Sequence, residues 1–280
     1  MDLTALVYAV CCLGALGLGF GFALAVVAKK FGIEVDPKVA EIQDNLPGAN
    51  CGACGYPGCS GYAEAVATGK VPVTGCTPGG DPVVAIISKI MGVTAEGTRK
   101  MMAVVRCQGD RDRAVDAYTY YGVPRCSVAV NLDSGHKACT YGCLGFGDCA
   151  EACPFDALFM SAAGLPVVVE EKCTACGACA RACPRGIIAL IPADEPVYLG
   201  CVNRGRGKAV KDACRVGCIG CSICAKEKGN PGGGIEMDDA LPVLDFDHAG
   251  HDFADALRAC PQSSFVRRLP AAAAEIPKAS

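Results

Sequence analysis

Residues 139–154 read CTYGCLGFGDCAEACP and residues 173–184 read CTACGACARACP, two cysteine quartets that each end in Cys-Pro. In the second, Cys173, Cys176 and Cys179 are separated by two residues each, and Cys183 follows after three more, before Pro184. That run holds a [4Fe–4S] cube: three close thiolates wrap three irons, and the fourth cysteine crosses to a partner cluster. The first quartet, Cys139, Cys143, Cys149 and Cys153 before Pro154, is the same run with its first gap longer by one residue and its second by three. The swapped pattern assigns Cys139, Cys143, Cys149 and Cys183 to one cluster. Cys173, Cys176, Cys179 and Cys153 go to the other. Zinc is the competing ligand, but three cysteines within seven residues and a distant fourth is poor zinc spacing. The chemistry to expect is one-electron transfer.

Upstream, residues 51–59 read CGACGYPGC, and Cys51, Cys54, Cys59 and Cys76 complete a further four-thiolate set suited to one more [4Fe–4S] site, with zinc as the alternative because this spacing is less diagnostic than the paired quartets. Its glycines leave the backbone free to fold amides around a bulky inorganic core. Residues 61–68 read as a helix that carries the chain back to Cys76. Pro37 sits at the first-turn position of a short helix before it.

Residues 3–28 contain no charged side chain, more than the about 20 apolar residues that span a bilayer. Lys29 and Lys30 follow at once and Asp2 precedes, which places the remainder of the chain on the cytoplasmic side. A secretory leader would carry its positive charge ahead of the apolar run and a cleavage site after it. A single-pass anchor in the cytoplasmic membrane is therefore expected. Cys11 and Cys12 lie in the span and read as small apolar side chains.

The last third repeats the cysteine pattern with losses. Cys218, Cys221 and Cys224 form the three-thiolate run and Cys260 precedes Pro261. An intact second cluster would need cysteines at Lys228, Gly250, Phe253 and Ala256, and all four are missing together. Swapped ligation predicts this, because losing one cube frees its own ligand set and leaves its partner's intact. One cluster is expected here, on Cys218, Cys221, Cys224 and Cys260, with Cys214 as the competing fourth ligand. Four cysteines remain: Cys107, Cys126, Cys201 and Cys214. RCQGDRDRAV (106–115) and GCVNRGRGKAV (200–210) resemble each other, which suggests a duplicated unit ahead of each module. The four spare thiols are read as free or structural, with a fifth cluster as the alternative.

Twenty-two cysteines in 280 residues would suit a secreted disulfide framework. The clustering of cysteines two and three residues apart argues instead for shared metal in a reducing compartment. A net charge of −3 offers no general attraction for nucleic acid, which is not an expected partner. Residues 81–106 read as a helix interrupted by Gly92 and Gly97, residues 165–170 and 187–191 as short strands, and His136, His248 and His251 as surface residues. Basic clusters at Arg99-Lys100, Arg111-Arg113 and residues 204–211 are read either as a steering patch for an acidic electron carrier or as a solvated face.

The expected fold is α+β and metal-stapled, because cluster ligation supplies what a small core cannot. Its parts are a transmembrane anchor (1–30), a four-cysteine Fe–S domain (31–90), a linking segment (91–137), a two-cluster ferredoxin-like domain (138–192) and a degenerate ferredoxin-like module (193–280). Together the charged end of the anchor, CGACGYPGC, YGCLGFGDCAEACPFDA and CTACGACARACP resemble the RnfB family, the B subunits of Rnf ion-translocating electron-transport complexes. KAVKDACRVGCIGCSIC resembles the added ferredoxin module of longer members. The resemblance implies a membrane complex that couples electron flow between ferredoxin and NAD to Na+ or H+ movement. It also implies soluble ferredoxin and the other membrane and flavoprotein subunits as partners. Flavin and NAD would sit on those subunits, and this chain has no GxGxxG loop. Four clusters, no complete active site and a relay role are the expectation. An anchored polyferredoxin serving another oxidoreductase, or reducing a redox-sensing regulator, is the alternative.

Overall fold

The computed structural model describes residues 3–31, 36–95, 97, 99–249 and 253–268. Gly250 and His251 lie outside the described residues.

A single long helix, α1 (Leu3–Phe31), ends on Lys29 and Lys30. No part of its most apolar stretch, Val10–Val27, is buried against the protein, and Leu13, Leu18, Phe20, Phe22 and Leu24 all face outward. By length and composition it can cross a bilayer.

Three helices follow. α2 (Pro37–Asp44) starts with Pro37 in its first turn, and the Asp36 carboxylate accepts from the Lys38 N–H at 2.9 Å. Proline loses nothing at that position, since its missing donor would be unpaired there anyway. α3 (Cys59–Ala67) and α4 (Gly80–Met91) pack on α2 around Ile42, Val66, Val84 and Ile87. Tyr62 is at the centre, 1% exposed, its hydroxyl donating to the Pro72 carbonyl and accepting from Gly75 N–H, each at 3.0 Å.

α4 stops at Gly92, which takes the left-handed conformation at φ +67°. The helix expected to continue to residue 106 does not. Met101–Val105 is instead strand β1. An unbroken apolar run of five residues suits a buried strand as well as a helix, and a partner strand decides. That partner is β4 (Ile188–Pro192), antiparallel, with Met101 opposite Pro192 and Val105 opposite Ile188. Part of the expected linking segment is thus bonded to the first cysteine module.

Between β1 and β4 lie short helices α5 (Cys126–Ala129) and α6 (Asp148–Glu151), the hairpin β2 (Leu158–Met160) and β3 (Pro166–Val168), and α7 (Ala178–Ala182). The last third follows the same plan. β5 (Val197–Leu199) leads to α8 (Gly207–Ala213), a hairpin of β6 (Ile235–Asp238) and β7 (Leu241–Leu244), α9 (Ala254–Ala259) and β8 (Phe265–Arg267). β8 pairs antiparallel with β5 as β4 pairs with β1, and the inner hairpin is repeated. Each module is a first strand closed by its last strand, with a hairpin between.

Their cores are small and built around cysteine. One combines Cys143, Cys149 and Cys179 with Ala157, Leu158, Ile187 and Ile188. The other combines Cys201, Cys218 and Cys224 with Val197, Leu199, Phe253 and Phe265.

Tyr62→Phe leaves the Gly75 N–H without its acceptor inside a packed core, a loss of about 1–3 kcal/mol. Denaturant unfolding of the variant should show a lower midpoint. An unchanged midpoint would mean that water replaces the hydroxyl.

Candidate metal centres

The cysteines outside α1 gather into rings. Cys51, Cys54, Cys59 and Cys76 line one cavity of about 330 Å³. The Asn50 carboxamide oxygen accepts from Cys59 N–H at 2.8 Å, closing the loop onto the start of α3. Gly52 and Gly55 take positive φ there (+70° and +85°), a conformation that side chains resist. Burial raises the Cys76 thiol pKa, and Cys59, Cys51 and Cys54 facing it add to the rise.

In the second quartet, Cys179 is pushed up to about 11 by burial and then by Cys173, Cys176 and Cys153 around it. This is the set expected from swapped ligation. Backbone N–H groups of Ala103 and Ala157 donate to Cys173 and Cys153 sulfurs at 3.4 and 3.3 Å.

The first quartet is rearranged. Cys143, Cys149 and Cys183 line a cavity of about 330 Å³, but the fourth thiol there is Cys126, not Cys139. Cys149 is pushed up to about 12 by burial, then by Cys183 and Cys126. The cause lies at the helix starts: the Asp148 carboxylate accepts from Cys126 and Ser127 N–H at 2.8 and 2.9 Å. Those bonds dock α5 against α6, where Cys149 sits. Cys126 is thirteen residues before Cys139, and no local spacing marks it. Arg185 lines the same cavity and donates to the Thr140 and Ser134 carbonyls, holding a guanidinium beside these thiols.

Cys139 instead shares a cavity of about 430 Å³ with Cys107, Cys201 and Cys214. Three of the four thiols read as spare therefore meet, with Cys139 in the place of Cys126.

In the tail, Cys218, Cys221, Cys224 and Cys260 line a cavity of about 320 Å³. Cys224 is pushed up to about 12 by burial, then by Cys218, Cys260 and Cys221. Cys214 does not line that cavity. At the positions where a second cluster would need ligands, Phe253 and Ala256 are buried in the module core, with Phe253 edge-on to Phe246 at 5.7 Å. Lys228 is exposed.

Among the described residues no three His, Cys, Asp or Glu side chains converge tightly enough for a single metal ion. Tetrahedral zinc, with Zn–S of about 2.3 Å, needs sulfurs about 3.8 Å apart. Sulfurs standing round a cavity with an all-thiol donor set fit an Fe–S cube better.

Three arginines of the basic clusters make ion pairs. Arg99 meets Asp194, Glu195 and Asp247 at 3.0, 2.7 and 3.3 Å, and Arg204 and Arg206 pair with Asp238 and Asp239 at 2.9 and 2.7 Å. These pairs tie segments together. His136 is not a surface residue: it stacks on Tyr120 and packs against Phe146, and burial lowers its pKa.

Comparison with known proteins bears on the same segments. Residues 46–78 match the family described as a putative Fe-S cluster, and residues 166–189 match the 4Fe-4S binding domain. The chain is 40% identical over 263 residues to the B subunit of the ion-translocating oxidoreductase complex of Methanosarcina acetivorans, covering 94% of this chain and 98% of that one. It is 42% identical over 216 residues to the B subunit of the Na(+)-translocating ferredoxin:NAD(+) oxidoreductase complex of Acetobacterium woodii (77% of this chain, 65% of the relative). It is 40% identical over 231 residues to the proton-translocating counterpart of Clostridium ljungdahlii (82% of this chain, 81% of the relative).

A ring thiol with raised pKa carries a proton when free and none when bound to iron, so assembly releases protons and is favoured as pH rises. Iron extraction by a chelator should therefore quicken as pH falls from about 8 to about 6. A rate independent of pH would refute thiolate ligation at these rings.

Proposed function

Because this chain belongs to the family of B subunits of ion-translocating oxidoreductase complexes, we infer that its thiol rings form the path by which electrons cross it. The chain is an electron-transfer subunit of an Rnf-type complex.

Four rings carry the reading: Cys51, Cys54, Cys59, Cys76; then Cys153, Cys173, Cys176, Cys179; then Cys126, Cys143, Cys149, Cys183; then Cys218, Cys221, Cys224, Cys260. Bound there, [4Fe–4S] clusters take up and release single electrons at potentials set by burial, hydrogen bonds to sulfur and local charge. The chain's own task is to hold these rings close together. Arg181 does so at one joint, donating to the Cys176 carbonyl at 3.1 Å and the Cys51 carbonyl at 3.0 Å. That double contact, which ties the loops of two rings, is the single observation that most supports a relay. At the next joint, Cys179 lies within electrostatic reach of Cys149. Arg185 puts positive charge beside the ring of Cys126, Cys143, Cys149 and Cys183, which favours its reduced state.

Family membership implies other subunits of the complex; the partners in this reading are soluble ferredoxin exchanging electrons with this chain, and companion membrane and flavoprotein subunits carrying flavin and the nicotinamide site. α1 anchors the rings, and Lys29 and Lys30 at its end favour the cytoplasmic side for them. Residues 3–28 include no Asp, Glu, His, Lys or Arg. An ion path needs such groups or a polar lining, so the ion crosses elsewhere in the complex, whether it is the Na+ or the proton of the relatives' names.

Two measurements test this. Reduced ferredoxin added anaerobically to the purified chain should bleach its visible cluster absorption, and Arg181→Ala should slow the later part of that bleaching several-fold. A chain that ferredoxin cannot reduce would leave the relay reading without its donor. Protease outside sealed right-side-out vesicles should spare residues 36–268; digestion there would reverse the orientation.

A further inference from the structure

We propose that Cys107, Cys139, Cys201 and Cys214 hold a fifth [4Fe–4S] cluster where the two duplicated modules meet, two thiolates from each, and that this site joins the tail ring to the rest. The proposal rests on reading the other rings as cluster sites, and its own argument is symmetry.

Cys107 follows β1 and Cys201 follows β5, the equivalent strands of the two modules. Cys139 stands four residues before Cys143, and Cys214 four before Cys218. The hydrogen bonds repeat with them. Cys107 sulfur accepts from the Cys143 N–H at 3.4 Å, and Cys201 sulfur accepts from the Cys218 N–H at 3.3 Å. Each is also bonded by the backbone N–H two residues on, Gly109 for one and Asn203 for the other. Such amide donors stabilise thiolate charge.

A backbone ladder brings the halves together. Ala138 N–H donates to the Val115 carbonyl at 2.8 Å, and Val115 N–H donates to the Ala213 carbonyl at 3.0 Å. Cys139 and Cys214, each the next residue, are thereby set side by side. Gly109 sits against one thiol from each half: a Cβ there would lie 3.4 Å from the Cys214 sulfur and 3.7 Å from the Cys107 sulfur. From the facing side the Asn203 carboxamide, itself 7% exposed, donates to the Cys139 sulfur at 3.3 Å and accepts from Gly205 N–H at 2.7 Å.

Structural thiols would be packed against apolar neighbours. Here Cys107, Cys139, Cys201 and Cys214, all free thiols, line one pocket, which Cys143 also reaches. With this ring, the twenty cysteines outside α1 (all but Cys11 and Cys12 of the 22) fall into five sets of four. The site is also the missing link. Cys143 lines both this cavity and that of Cys126, Cys149 and Cys183, while Cys218 of the tail ring donates its N–H to Cys201.

Iron and acid-labile sulfide should be counted on the full chain purified anaerobically, with native mass spectrometry alongside. About twenty of each per chain are expected, on the cubane stoichiometry. Cys201→Ala should lose about four irons, and Cys139→Ala with Cys201→Ala should lose the same four and no more. A loss of about eight in the double variant would return Cys139 to the first quartet and overturn the grouping. About sixteen irons in the unmodified chain, with reduction by ferredoxin intact, would overturn the fifth site and leave the relay reading standing. Should the alanine variants not fold, Asn203→Leu decides: removing one N–H donor to sulfur should shift the midpoint potential of a single centre to lower values. Five unshifted centres would overturn the assignment. No iron in any ring would overturn the fifth site together with the reading it rests on.

Discussion

A cluster of iron and sulfide asks for four thiolates at once, from directions that no single helix or strand can supply. Loops must therefore converge on one point and stay there. This demand shapes the soluble part of the molecule. Its regular elements are short, the strands pair two by two, and cysteines stand in the cores beside Ile187, Leu199 and Phe265 where a larger protein would place more aliphatic side chains. Small modules bury too little apolar surface to be stable by packing alone, and metal ligation fills the deficit. Raised thiol pKa values are the counterpart: rings that disfavour their own thiolates when free gain most when iron takes the charge.

Duplication explains much of the architecture. Both modules close a first strand against a last one around an inner hairpin. They differ where the second module has no cysteines for a further ring. There Phe253 and Ala256 occupy the core, so the site was filled with apolar packing rather than left as a hollow. A cavity of cluster size would forfeit contacts on every wall, and an aromatic residue restores them. The second module keeps the tail ring, and cysteines of both halves line one pocket at the module interface.

Arginines fasten segments of the chain together. Arg99 gathers Asp194, Glu195 and Asp247 from two segments, and Arg181 binds carbonyls from two rings. Arginine suits both tasks because its planar fork reaches several acceptors in fixed directions. Such joints hold the distances between sites, on which a relay depends.

Local patterns were legible where the chemistry is local. The apolar run of residues 3–28, the three-thiolate runs and the motif of Cys51, Cys54, Cys59 and Cys76 each carry their meaning within a short stretch, because spacing along the chain is spacing around the metal. The missing cysteines at Lys228, Phe253 and Ala256 were legible for the same reason. The strand at Met101–Val105 was not, since an apolar pentad suits helix or strand and only β4 settles which. Nor was the exchange of Cys126 for Cys139. That depends on Asp148 capturing the start of α5 from 22 residues away, and on Val115 bridging Ala138 to Ala213. Sequence alone determined that this chain binds iron–sulfur clusters beside a membrane. Which thiol faces which cavity was decided by tertiary hydrogen bonds, because a fourth ligand arrives through space from wherever the fold delivers it.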